Sequence, residues 1–196
     1  MTRVGTQRPR RADALRNRNA VLQAAVATFA EKGLEASIPE IAARAGVGKA
    51  TVYRSFPSKE HLVAAVACER LDWIAETARA AADDPDAGAA FARVVVAIAE
   101  RQASDSAVVG ALAASISLPD LDAARDAAHA ALEALMVRAR AAGAVRSDAT
   151  YDELCVLLTG VVHVLRERRE RDPAVCRRFG QLVIDALRPP LKLSER

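Results

Sequence analysis

Hydrophobic residues along this chain recur at helical spacing almost from end to end, and nowhere in strict alternation. Leu15, Leu22, Val26 and Phe29 follow one another at intervals of seven, four and three. Ile41, Ala42 and Ala45 form a shorter stripe, and Leu62, Val66 and Trp73 a longer one. Such intervals gather side chains on one face of a helix with about 3.6 residues per turn. The pattern predicts an all-α protein. Alanine, leucine and arginine dominate, which suits helix. Aromatic residues make up only 4%, too few for the strands of a sandwich or barrel. With 52% hydrophobic and 27% charged residues, the chain carries enough apolar surface for a core, which excludes intrinsic disorder.

Punctuation divides the pattern into about nine helices. Gly33 follows Lys32 and is a natural helix stop. Ser37 and Glu40 have the spacing of a capping box, and Pro39 falls in a first turn where its missing N–H is no loss. Gly46-Val47-Gly48 separates that short helix from another, Lys49 to about Ser55. Pro57 ends this one, and Ser58 caps a longer helix to about Ala82. Further helices are expected over 87–103, in a short piece to about Ser115, from Ser117 to about Ala142 before Gly143, and from Tyr151 to about Arg171. Asp172-Pro173 reads as cap and first position of the last. No apolar run approaches the roughly 18 residues a membrane span needs.

Charge is unevenly spread. Residues 1–60 hold eleven Lys/Arg against five Asp/Glu, and the remainder seventeen against twenty. A basic front end on a mildly acidic body is the footprint of a polyanion-binding head. Within it, Ser37 to Phe56 reads as a helix-turn-helix. Val52 and Phe56 are the inward positions of the second helix. Its other residues, Lys49, Ala50, Thr51, Tyr53 and Arg54, offer cations, hydroxyls and a methyl. These groups suit phosphates and base edges in a major groove.

The run Ala45-Gly46-Val47-Gly48-Lys49-Ala50-Thr51-Val52-Tyr53-Arg54-Ser55-Phe56-Pro57-Ser58-Lys59-Glu60-His61-Leu62 resembles the signature of TetR-type (tetracycline-repressor-like) transcriptional regulators, over about residues 13–75. The resemblance implies an all-helical homodimer with a three-helix DNA-binding head, a linking fourth helix and a ligand-binding body. It implies that Ser37 and Pro39 contact the DNA backbone. Lys49, Ala50 and Arg54 would approach base edges, and Thr51, Tyr53 and Lys59 would hold phosphates. Ser55 departs from the His or Tyr more usual there, and Gly48 replaces a frequent capping Ser or Thr. The organisation expected is a flexible basic arm (1–12), a helix-turn-helix DNA-binding domain (13–57), a ligand-binding and dimerisation domain (58–190) and a tail (191–196). Arg8, Arg10 and Arg11 of the arm are candidates for a flanking minor groove. The family mostly represses, so a repressor binding an inverted-repeat operator is the expectation.

The helix from Tyr151 is apolar on nearly every side and must be covered on every side. A two-fold dimer through it and the last helix is expected, with Leu158, Val162, Leu165, Phe179, Leu182 and Val183 at the interface. A pocket for a small, mostly hydrophobic effector is expected among Trp73, Phe91, Leu112, His129, Leu132, Met136 and His163.

Cys68, Cys155 and Cys176 show no CxxC pattern, so a reducing cytoplasm is the default compartment. His61, His129 and His163 sit in no HExxH pattern, and no Gly-rich phosphate loop occurs. An enzyme, a metal site and a cofactor are therefore not expected. The alternative reading is a helical protein-interaction or thiol- or metal-sensing module, with Cys155 and His163 two turns apart, and no specific DNA binding.

Overall fold

The computed structural model describes residues 7–104, 115–168, 170 and 172–190. Eight α-helices occur among them, and no strand. They are α1 (Gln7–Lys32), α2 (Ile38–Arg44), α3 (Lys49–Ser55), α4 (Lys59–Ala80), α5 (Ala87–Ser104), α6 (Pro119–Ala141), α7 (Tyr151–Glu167) and α8 (Pro173–Leu187). A single 3-10 turn, Gly33–Glu35, follows α1. The short helix expected before Ser115 lies outside the described residues, as do Leu112, positions 1–6 and the tail 191–196. Helical backbone begins at Gln7, six residues ahead of the expected start, so 7–12 are not the unstructured arm read from the sequence. Pro9 is accommodated because it falls in the first turn.

Two glycines terminate helices by the same device. Gly46 (φ +67°) and Gly143 (φ +72°) take the left-handed conformation. After α2, Val47 N–H donates to Ala42 O at 3.0 Å and Gly46 N–H to Ala43 O at 3.2 Å. After α6, Ala144 N–H donates to Ala139 O and Gly143 N–H to Arg140 O, both at 2.9 Å. These paired bonds are Schellman motifs, which satisfy carbonyls that a helix end leaves open. Asp172 caps α8 by accepting from Ala174 N–H at 2.8 Å, with Pro173 at the first helical position.

The described residues form two compact units, those within 7–67 and 115–121, and those within 68–104 and 122–190. In the first, α1, α2 and α3 pack on one another. Its buried residues include Val21, Leu22, Ala25 and Phe29 of α1, Ile38, Ile41 and Ala42 of α2, Val52 and Phe56. Leu15, expected on the inner stripe, is 62% exposed, and Val26 is only half-buried. Ala25, not Val26, continues the row from Leu22 to Phe29. Buried Thr28 keeps its hydroxyl satisfied by donating to Ala24 O at 2.7 Å.

In the second unit α5 packs along α8, and α7 against both. One core cluster joins Ile74 and Ala78 of α4, Phe91, Val94, Val95 and Ile98 of α5, Leu132, Leu135 and Met136 of α6, Leu154 and Leu158 of α7, and Val183, Ile184 and Leu187 of α8. Gly180 makes the α5–α8 approach possible. A Cβ there would stand 3.0 Å from Ala99 Cβ and 3.1 Å from Val96 Cα. Arg138 ties α6 to the turn after α4 by donating to the carbonyls of Ala82 and, at 2.9 Å, Asp84. No helix among the described residues is long and apolar enough to cross a membrane.

Candidate nucleic-acid interface

The site begins with the cap of α2. Ser37 N–H donates to Glu40 Oε2 at 3.0 Å, and the Ser37 hydroxyl donates to the same oxygen at 2.8 Å. The capping box read from the sequence is therefore present. Lys32, at the end of α1, also bonds the Glu40 carboxylate. Lys32 and the Ser37 donors together lower the Glu40 carboxyl to about 2. Glu31 of α1 accepts from Arg44 of α2 at 2.8 Å, and the guanidinium holds that carboxyl below the ordinary range. These pairs are exposed, so each adds little to stability; what they do is align α2 on α1.

From Gly46 the chain turns directly into α3. Gly48 occupies the N-cap with extended backbone and no side-chain cap. Of the seven residues of α3, Val52 alone is buried, and Phe56 just beyond is buried beside it. Burying an aliphatic or aromatic side chain this fully stabilises by about 1.5–3 kcal/mol. Those two positions hold the helix down, and they fix which side faces out. Lys49, Ala50, Tyr53 and Arg54 are exposed, and Thr51 is half-buried. Arg54 Nη2 donates to Thr51 Oγ1 at 3.4 Å, one turn back on the same face. Five of the eight residues expected to meet DNA thus lie on one short helix. Pro39 is exposed at the start of α2, while Ser37 is half-buried and occupied with Glu40. Lys59 is half-buried at the first position of α4. Ser58 caps that helix, its hydroxyl 3.4 Å from the N–H of His61 and 2.9 Å from its Nδ1.

One contact was not anticipated from the sequence. Arg18 of α1 lies with its guanidinium over the Phe56 ring, 4.4 Å from the centroid, and donates from Nη1 to Ser55 O at 3.3 Å. A signal existed: positions 18, 22, 25 and 29 form one row on α1, so Arg18 is a cation standing in an apolar stripe.

In the second unit the residues expected to line a pocket fall in different places. Phe91, Leu132 and Met136 share the core cluster, with Trp73 packed against it and Arg101 stacked 4.4 Å over the Trp73 ring. His129 and His163 lie on the outside instead. His129 stacks on Tyr151 with ring centroids 4.0 Å apart and pairs with Glu133 at 3.3 Å. An open cleft of about 580 Å³ lies where the start of α5, the loop after α6 and the end of α8 meet; Phe91, Val145, Ile184 and Arg188 line it. Cys155 is half-buried and hydrogen-bonded to Tyr151, and burial pushes its thiol up, away from the thiolate.

The expected dimer residues divide. Leu158, Val162, Leu165 and Val183 are buried within the chain's own core. Leu158 and Val183 belong to the core cluster that α7 and α8 share with α5. Leu182 is 51% exposed and Phe179 half-buried. The open apolar surface of α7 is Val156 and Val164.

Comparison with known proteins bears on both units. The model for bacterial regulatory proteins of the tetR family matches residues 21–66. A second, for the C-terminal domain of SbtR-like transcriptional regulators, matches residues 84–189. No curated protein matches the chain. Among solved structures, a TetR transcriptional regulator from Streptomyces coelicolor is 30% identical, with a TM-score of 0.61, over 88% of this chain and 98% of that one. A TetR transcription regulatory protein from Mycobacterium vanbaalenii is 33% identical, with a TM-score of 0.59, over 91% and 99%. A TetR family regulator from Marinobacter aquaeolei, at 19% identity and a TM-score of 0.66 over 91% and 98%, shares the fold. With a helix-turn-helix that turns its cations outward and a body matched over more than half its length, the chain belongs to the TetR family of transcriptional regulators.

Proposed function

We propose that the protein is a homodimeric repressor that occludes an inverted-repeat operator and is released by a small, mostly hydrophobic effector. The observation that carries this reading is the outward face of α3, where Lys49, Ala50, Tyr53 and Arg54 are exposed while Val52 and Phe56 are held inside. Lys49, Ala50 and Arg54 are assigned to base edges. Thr51, Tyr53 and Lys59 are assigned to phosphates, and Ser37 and Pro39 to the backbone flanking them. Two such helices about one duplex turn apart, ~34–36 Å, would read the two half-sites.

Dimerisation supplies that pair. The apolar side chains left open on α7, Val156 and Val164, and on α8, Leu182 with half-buried Phe179, support a two-fold contact between these helices. The effector is assigned to the second unit around Trp73, Phe91, Leu132 and Met136, whose apolar character favours a hydrophobic molecule. An effector that fits one spacing of the two heads better than another shifts the population toward it. α4, which begins in the first unit and ends in the second, would carry the change.

The test is a gel shift on the DNA upstream of the protein's own gene, over a salt series, with competitor DNA. Retardation that survives competitor and weakens steeply as salt rises is expected. Binding that competitor abolishes at every salt concentration would refute a specific operator.

A further inference from the structure

A seven-residue helix cannot hold itself in water, and the last carbonyls of any helix lack intrahelical donors. α3 therefore depends on what grips it from outside. The ion pairs from Lys32 and Glu31 both end on α2. Burial of Val52 and Phe56 holds the inner face of α3, and a polar contact on its C-terminal end comes from Arg18, through the Phe56 ring at 4.4 Å and the Ser55 carbonyl at 3.3 Å. We infer that Arg18 is a positioning residue for the recognition helix. Its guanidinium closes the C-terminal end of α3 and, with the buried anchors Val52 and Phe56, holds the rotation at which Lys49, Ala50, Tyr53 and Arg54 meet the duplex. The inference rests on the DNA-binding reading of α3.

Arginine is suited to the role because its planar group stacks on a ring and donates in its own plane at once. Its charge also opposes the negative end of the helix dipole. A lysine keeps the charge but not the flat two-way geometry. The competing role is a direct phosphate ligand, in which lysine would serve nearly as well.

The experiment uses the full chain with Arg18→Lys and Arg18→Met, titrated over a salt series against the upstream DNA and against an unrelated duplex. Arg18→Lys is expected to weaken specific binding about fivefold, the worth of whichever contact, cation–π or hydrogen bond, an ammonium cannot make while making the other. Binding to the unrelated duplex stays unchanged. Arg18→Met is expected to lose about five- to twentyfold, the combined worth of both contacts, with the slope of log K against log salt kept at the wild-type value. Wild-type affinity in Arg18→Lys overturns the proposal. So does a slope reduced by about 0.9 in Arg18→Met, the mark of one lost phosphate contact.

Amide exchange in the DNA-free protein provides the second readout. Exchange at Tyr53–Phe56 should quicken about tenfold in Arg18→Lys, with Ile41–Arg44 unaffected. Unaltered exchange overturns the proposal even if DNA binding falls. Equal acceleration in α2 marks loss of the whole head and overturns it too. A wild-type protein that ignores DNA, with α3 exchange still quickened by the substitution, refutes the DNA-binding reading and supports the grip.

Discussion

Leu182 offers a direct way to weigh the proposed dimer. It is 51% exposed on α8, while Val156 and Val164 on α7 are 71% and 45% exposed. Complete burial of a leucine is worth about 1.5–3 kcal/mol, so covering the open half gives about 1 kcal/mol. A two-fold interface contains the residue twice, which doubles that to about 2 kcal/mol. Leu182→Ala should therefore weaken dimerisation about thirtyfold. Leu182→Glu removes the same area and places two carboxylates in an apolar seam. At about 2 kcal/mol or more for each unpaired polar group, the total loss reaches a thousandfold or more. Sedimentation velocity over a concentration series would read both shifts. Leu15→Glu is the matched control, since Leu15 is 62% exposed but lies on α1; it should leave the dimer intact. A Leu182→Glu protein that sediments as wild type, or a Leu15→Glu protein that dissociates equally, would show that the contact lies elsewhere.

Three further expectations concern other parts of the chain. Gly180→Ala sets a helix-propensity gain of about 1 kcal/mol against a Cβ 3.1 Å from the Val96 backbone and 3.0 Å from Ala99. Overpacking costs about 1–3 kcal/mol, so a net loss near 1 kcal/mol and a Tm lower by about 2–4 °C are expected in thermal unfolding; an unchanged or raised Tm would contradict the close α5–α8 approach. Glu40, held at about 2 against an ordinary 4.5, has a depressed folded value. Its contribution is complete above 4.5 and disappears as pH falls through 2; Glu40→Gln should flatten the acid limb of urea midpoints in that window, and an unaltered limb would count against the Lys32–Glu40–Ser37 arrangement. Arg54→Ala should cost about 1–3 kcal/mol on the operator and relax preference at one base pair, whereas Tyr53→Phe should weaken all sequences alike; selection from randomised half-sites separates the two.

The helix-turn-helix was legible because its limits are written in strong local chemistry. Gly46 and Gly48 bracket the turn, Pro57 closes α3, and Ser37 with Glu40 opens α2. With Val52 and Phe56 the inward apolar positions between Gly48 and Pro57, the outward face of α3 followed by subtraction. Periodicity was less informative where a helix has apolar residues on several sides. α7 was read as apolar all round, yet nothing in its sequence says that Leu158, Val162 and Leu165 meet the chain's own core while Val156 and Val164 stay open. That depends on where α5 and α8 lie. Leu15 failed for a related reason: a residue in register is buried only if something stands opposite it. His129 was read as a pocket residue, but its place on the outer side of α6, stacked on Tyr151, is a tertiary fact. Gly180 carries no signal in the sequence, and only the distance to α5 gives it a purpose.

The separation of duties within α3 has an evolutionary corollary. Its anchors, Val52 and Phe56, are inside, and the side chains assigned to reading DNA, Lys49, Ala50, Tyr53 and Arg54, project into solvent. Exchanging the outer four leaves the inner two in place, so the reader can be rewritten with little penalty to the scaffold. A lineage of duplicated copies could diverge in target preference one outer residue at a time, without passing through an unfolded ancestor.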